Sequence, residues 1–225
     1  DVVFGCPGWL EGVIQAQAFI KAGMAKKCLV IGAETLSRVV DIHDRDSMIF
    51  SDGAGATIIE KVEDEHDNGI IAHESATYAT DEAFYLTFEA SYNQELKRET
   101  RYIKMNGRKI YNFALSYVPQ AMKNCLDKSG YGIDEISKIF IHQANEKMDQ
   151  AICERFYKLY EKEMPEHVMP MSIAELGNSS VATLPTLLDL VKKNQLENQH
   201  IEKGDVVIFA SVGAGMNINA LVYKI

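Results

Sequence analysis

Long apolar runs are missing from this sequence: no stretch approaches the roughly 20 consecutive apolar residues that a membrane-crossing helix needs. No charged leader or signal-peptide pattern opens it either, so the expected compartment is the cytoplasm and no membrane partner is expected. Cysteine is sparse and scattered. Cys6, Cys28, Cys125 and Cys153 form no CxxC pair, which points away from a zinc site, from any other metal centre and from a disulfide framework. The last three fall in apolar-periodic stretches and read as core. Positive charge is also short: 23 Lys and Arg against 32 Asp and Glu leave a net charge of -9, whereas general nucleic-acid binding needs a basic footprint. The small-residue run Ser51-Asp52-Gly53-Ala54-Gly55-Ala56 lacks the lysine and Ser/Thr of a phosphate loop, and reads as a strand start lying close against another backbone.

What is there is an ordinary globular composition, 47% hydrophobic and 24% charged over 225 residues, enough for one large domain or two small ones. The chain is organised around Cys6. An apolar run at 2–5 reads as a strand, Pro7 suits the first position of a helix, and apolar periodicity continues from Trp9 to Ala22. Cys6 is thereby expected to cap that helix, where unpaired amides and the positive end of the macrodipole favour a thiolate. A chain that opens in mid-strand is expected to be part of a longer one.

Beyond Gly23, the run 27–32 reads as a buried strand, completing a βαβ unit. A polar loop at 38–46 follows, then strands near 57–62 and 69–72 flanking a charged turn at 63–68. An irregular, aromatic-bearing connection fills 74–102. From Met105 the texture changes. A helix is predicted over 110–126, a strand over 136–141, a helix over 145–160, a short strand over 168–172 and a helix over 181–193. Strands at 206–210 and 218–223 enclose a glycine turn. Helix, strand, helix, strand, strand echoes the first part, as α/β layering from an internal duplication would.

Three polar residues sit where α/β proteins place chemistry, beyond strand ends: Cys6, His142 in His142-Gln143-Ala144-Asn145, and Asn178 in Gly177-Asn178-Ser179-Ser180. Each alone has a bland reading, as a buried thiol, a satisfied histidine or a turn asparagine. Together with Gly213-Ala214-Gly215, whose amides can face an oxyanion, they suggest acyl chemistry.

On these motifs the chain resembles the β-ketoacyl-acyl-carrier-protein synthase III group of thiolase-like condensing enzymes, aligned with the later part of the family's chain and lacking most of its N-terminal half. The resemblance implies a layered α/β/α/β/α fold. Residues 1–104 would be the remainder of the N-terminal half, bearing the nucleophile and a long connection, and 105–225 the complete C-terminal half with the histidine and asparagine. It implies a decarboxylative Claisen condensation of an acyl thioester primer with malonyl-acyl-carrier protein, in fatty-acid or related lipid or polyketide synthesis. Cys6 would be the nucleophile, His142 and Asn178 would hold the enolate, and the amides of Cys6 and Ala214 the acyl oxyanion. Arg45 matches an arginine that packs on the coenzyme A adenine, Gly107 and Asn145 match positions along the pantetheine channel, and Arg108, Lys109 and Lys147 fall where the family presents basic residues to an acidic carrier protein. Implied too are acyl-CoA and malonyl-carrier protein as substrates, no further cofactor, and a homodimer. Pro7 after the nucleophile and Met216 after the glycine turn depart from the family pattern and bear on the acyl pocket.

Two other readings compete. A papain-like cysteine hydrolase uses Cys, His and Asn in this order, and the separation of Cys6 from His142 falls in its window of about 130–150 residues, but its Cys-Gly-Ser/Ala-Cys signature is absent. A non-catalytic fragment or partner of a condensing enzyme is the other.

Overall fold

The computed structural model describes residues 1–62, 68–97 and 99–225. Its centre is a four-stranded sheet ordered β3-β8-β7-β6, with β3 at Gly69–Thr77, β6 at Ile136–Ile141, β7 at Val206–Gly213 and β8 at Asn217–Lys224. β6 and β7 run parallel and the other pairs antiparallel. All eight residues of β7 are buried, as befits a strand covered on both faces. β3 precedes residue 105 in the chain, yet it pairs along β8.

Helices α2 (Gly107–Ser129) and α3 (Glu146–Lys158) cover one face of this sheet, and their buried stripe packs on Ile139, Ile141, Ile208, Ala210, Ile218 and Ala220. α2 starts at Asn106, whose side-chain oxygen accepts from Lys109 N at 3.2 Å, and stops at Gly130 with φ 80°. Pro119 sits inside it and cannot donate to the carbonyl of Leu115; Arg155 Nη1 donates there instead, at 3.1 Å, tying α3 to α2.

The opposite face carries α1 (Gly8–Lys21) and α5 (Thr183–Lys192). Trp9, Leu10, Val13 and Ala16 recur at helical spacing and pack with Leu184, Leu187, Phe140 and Phe209. Beyond these helices lies an antiparallel ribbon of β1 (Lys27–Thr35) and β2 (Asp52–Glu60). The long connection holds a second small ribbon, β4 (Leu86–Glu89) with β5 (Tyr102–Met105).

Three local expectations are corrected. Residues 2–5 form no strand, and Val3 is 97% exposed, because no neighbouring strand pairs with them among the described residues. The βαβ reading therefore reduces to a helix followed by a strand. Residues 168–172 form no strand either: Ile139 N donates to Val168 O, but no ladder extends from this bond. The charged turn expected at 63–68 lies, apart from Asn68, outside the described residues.

Candidate active site

Cys6, His142 and Asn178 line one cavity of about 360 Å³, a size suited to a small ligand or the reactive end of a larger one. Each arrives on a different element. Cys6 precedes α1 within a turn closed by Gly8 N donating to Gly5 O at 2.8 Å. Glu11 N donates to Pro7 O at 3.0 Å, so the helix cap is Pro7 and Cys6 stands one residue outside it, contrary to the expectation that Cys6 caps. His142 follows β6, its N–H extending the parallel ladder to Ala210 O at 2.9 Å. Asn178 follows α4 (Ile173–Leu176) and is clamped in the backbone, its N–H on Ile49 O at 2.8 Å and its carbonyl accepting from Ser51 N at 2.9 Å. Gly177 turns the chain there with φ 68°.

The segment after Asn178 touches all three residues. Ser180 N donates to Asn178 Oδ1 at 2.8 Å, leaving the amide Nδ2 to face a ligand. Ser180 Oγ donates to Cys6 Sγ at 3.4 Å. Thr183 Oγ1 lies 2.7 Å from His142 Nδ1. Ser180 belongs to the Gly177-Asn178-Ser179-Ser180 motif without a role of its own in the sequence reading, and Thr183 is not singled out there. Gln143 acts similarly: fully buried, it donates to Ile141 O at 3.0 Å and accepts from Ser172 N at 2.8 Å, joining the His142 turn to the segment that leads to Asn178.

Two glycines let the nucleophile abut the terminal turn. A Cβ on Gly213 would lie 2.7 Å from Cys6 N, and one on Gly5 would lie 2.9 Å from Ala214 N. The backbone at Cys6 and the backbone at Ala214 are thus in close contact that a side chain at either glycine would prevent, although Ala214 itself is not among the residues lining the cavity.

Burial dominates the electrostatics. It lowers His142 to about 4, so the imidazole is neutral at ordinary pH. It also raises the Cys6 thiol, and the Ser180 hydrogen bond offsets this only in part. The expected resting thiolate is therefore not favoured. Raised thiol and lowered imidazole together disfavour the thiolate–imidazolium pair of a papain-like hydrolase, and the thiol's side-chain partner is Ser180.

Arg45, Gly107 and Asn145 line the same cavity, with Met48, Phe50, Leu86, Met105 and Met148 among its apolar walls. Asn145 Oδ1 caps α3 by accepting from Met148 N at 3.2 Å. Arg108, Lys109 and Lys147 are exposed in the first turns of α2 and α3, beside the lining residues Gly107 and Asn145. The loop carrying Arg45, Met48 and Phe50 is anchored by Lys104, which is buried and donates to Asp41 at 2.6 Å and Asp44 at 2.9 Å. Asp41 also accepts from His43 N, Ser91 Oγ and Tyr92 N. Burial opposes the charges of Asp41 and Lys104; their mutual pairing outweighs it, holding Asp41 well below the usual carboxylate range and Lys104 above the usual amine range.

The family models for 3-oxoacyl-[acyl-carrier-protein (ACP)] synthase III and for its C-terminal domain match residues 1–79 and 126–225. The chain is 34% identical over 232 residues to a β-ketoacyl-[acyl-carrier-protein] synthase III of Porphyra umbilicalis, covering all of this chain and 67% of that protein. It is 29% identical to the β-ketoacyl-[acyl-carrier-protein] synthase III 1 of Bacillus cereus, covering all of this chain and 65% of that one. Among solved structures it resembles the synthase III of Thermus thermophilus with a TM-score of 0.84 and 30% identity, covering 99% of this chain and 66% of that one. The chain thus spans about two thirds of the length of these relatives.

Proposed function

The chain belongs to the 3-oxoacyl-[acyl-carrier-protein] synthase III family, and from that premise we propose that it catalyses the condensation of an acyl thioester primer with malonyl-acyl-carrier protein in fatty-acid synthesis. The observation that carries this reading is the single turn through Ser180 and Thr183 that contacts Cys6, His142 and Asn178 around one cavity.

In the first half-reaction Cys6 Sγ attacks the thioester carbonyl, and the proton it gives up is the one that the departing coenzyme A sulfur gains. The amides of Cys6 and Ala214 hold the oxyanion. In the second, the C–C bond to the malonyl carboxylate breaks, carbon dioxide leaves, and the electron pair enters an enolate whose oxygen accepts hydrogen bonds from His142 and Asn178. A neutral imidazole and a carboxamide suit that oxygen, since both donate without a carboxylate that would repel the developing charge. The enolate carbon then attacks the acyl-Cys6 carbonyl, and collapse of the adduct returns the thiolate, which is reprotonated. No further cofactor enters. Arg45 is assigned to the coenzyme A adenine, Gly107 and Asn145 to the pantetheine arm, and Arg108, Lys109 and Lys147 to the carrier protein. The working protein is a homodimer in this reading.

Intact mass after incubation with an acyl-CoA panel tests the nucleophile: Cys6→Ala should gain no acyl group. His142→Ala and Asn178→Ala should keep acylation of Cys6 while carbon dioxide release from malonyl-carrier protein falls by about 10²–10³, the range for losing one enolate or oxyanion donor. Acyl groups on Cys28, Cys125 or Cys153, or equal loss of both steps, would sink the assignment.

A further inference from the structure

We propose that Thr183 is a positioning residue that sets the tautomer of His142, turning its hydroxyl proton onto Nδ1 so that Nε2 carries the hydrogen available to the cavity. The inference rests on the condensing-enzyme reading for its purpose, and on geometry for its content.

His142 is buried, lines the cavity and meets Thr183 Oγ1 through Nδ1 at 2.7 Å. A neutral imidazole carries one N–H, and the partner of one nitrogen decides what the other can do. Thr183 has one hydroxyl proton and two acceptors in reach: Nδ1, and the carbonyl of Ser180 at 2.9 Å. If the proton goes to Ser180 O, the threonine oxygen accepts from Nδ1–H and Nε2 is left as a bare acceptor, unable to donate to an enolate. If it goes to Nδ1, Nε2 keeps the hydrogen. The Ser180 carbonyl does not depend on the hydroxyl, because the backbone N–H of Thr183 already donates to it. The Ser180 carbonyl thus stays paired in either orientation, and only the one that turns the hydroxyl onto Nδ1 gives the ring the donor that enolate binding demands.

The same few residues treat Asn178 alike. Its amide can present either oxygen or nitrogen to the cavity, and Ser180 N takes the oxygen at 2.8 Å, which leaves the nitrogen as donor. One turn thus fixes the polarity of both side chains, and a valine at 183 would fill the same space while removing the proton that selects the histidine's form.

Two measurements on the full chain test this. In protein with 15N-labelled histidine at neutral pH, long-range ring correlations of His142, assigned against His142→Gln, should show Nε2–H with Nδ1 unprotonated and hydrogen-bonded. Thr183→Val should shift the ring toward a tautomer mixture, and Thr183→Ser should restore the wild-type pattern. A wild-type ring protonated on Nδ1, or a Thr183→Val spectrum unchanged from wild type, overturns the proposal. In turnover, Thr183→Val should slow malonyl decarboxylation by at least about tenfold, leave Cys6 acylation within about twofold, and be rescued by Thr183→Ser. Decarboxylation unaffected in Thr183→Val, or a serine variant as impaired as the valine, overturns it as well. If Thr183→Val does not fold, the wild-type ring spectrum and its serine counterpart decide. If wild-type protein releases no carbon dioxide from any malonyl thioester, the functional reading has failed, while the ring spectra still report on Thr183.

Discussion

At the scale of single residues, burial sets the charge of the histidine, while its hydrogen bond to Thr183 bears on the tautomer. His142 titrates near 4 in the folded protein, against 6.5 ordinarily, because burial penalises its charged form. The unfolded chain therefore binds the more protons between these values, and stability should fall as pH drops from about 6.5 toward 4, by about 3 kcal/mol in all. Urea unfolding across that window, compared with His142→Gln, checks it: the variant should lose this part of the slope. An imidazole seen by NMR to titrate near 6.5 would show that water reaches the ring. Cys6 and His142 were legible as candidates because the helix start at Pro7 and the end of β6, each among small neighbours, flag such positions in sequence, although the strand read before Cys6 does not form. The contacts that Ser180 and Thr183 make with them were not, since a side chain that acts by touching another does not reveal its partner until the fold supplies it. The raised Cys6 thiol was misread for the same reason: a helix-start argument captures the dipole, whereas burial depends on the distant glycine turn that closes over it.

Whole elements were easier to read. The helices α1, α2, α3 and α5 follow their apolar periodicity, and β6 and β7 their short runs rich in Ile, Val and Phe, so the layered α/β order was visible. Pairing was not. Residues 2–5 have the composition of a strand without one to join, and Val168 gives one hydrogen bond where a ladder was expected. The aromatic connection between β3 and α2 had no periodicity to read, and its role lies in a contact between distant positions, Lys104 with Asp41 and Asp44. Those carboxylates hold the loop that brings Arg45, Met48 and Phe50 to the cavity. Lys104→Met should leave Asp41 buried without its counter-charge and cost about 3–5 kcal/mol, more than any surface ion pair. Paired with Asp41→Asn, the same change should cost markedly less. Chemical denaturation of the two variants would show this, with KM for the acyl-CoA rising in both while acylation of Cys6 at saturation persists. Equal losses of stability in single and double variants would mean that the pair matters for packing and not for charge.

Across the molecule, the β1–β2 ribbon is where architecture reaches the site. Its inner side lies directly on the segment that holds Cys6, His142 and Asn178: a Cβ on Gly32 would come within 2.6 Å of Val181 O, one on Gly53 within 2.8 Å of Ser179 Cβ, and one on Gly55 within 2.6 Å of Pro185 Cβ. The glycines of Ser51-Asp52-Gly53-Ala54-Gly55-Ala56 are explained by this approach of ribbon to turn, as their small size suggested. The outer side is different in kind. Leu29 stands directly across from Ile58, with Ile31 two residues along, and the three are 62%, 66% and 59% exposed. Apolar side chains clustered on one face of a ribbon favour contact with another surface. Sedimentation velocity over a concentration series should accordingly reveal self-association. Replacing Leu29, Ile31 and Ile58 together by threonine, which keeps strand propensity while adding a hydroxyl, should weaken it by at least about tenfold. The inner packing against the turn is untouched by these changes, so Tm should move by no more than about 4 °C. Association that persists in the triple variant would place the contact on another surface, and a large loss of Tm would show that the outer side chains support the ribbon itself.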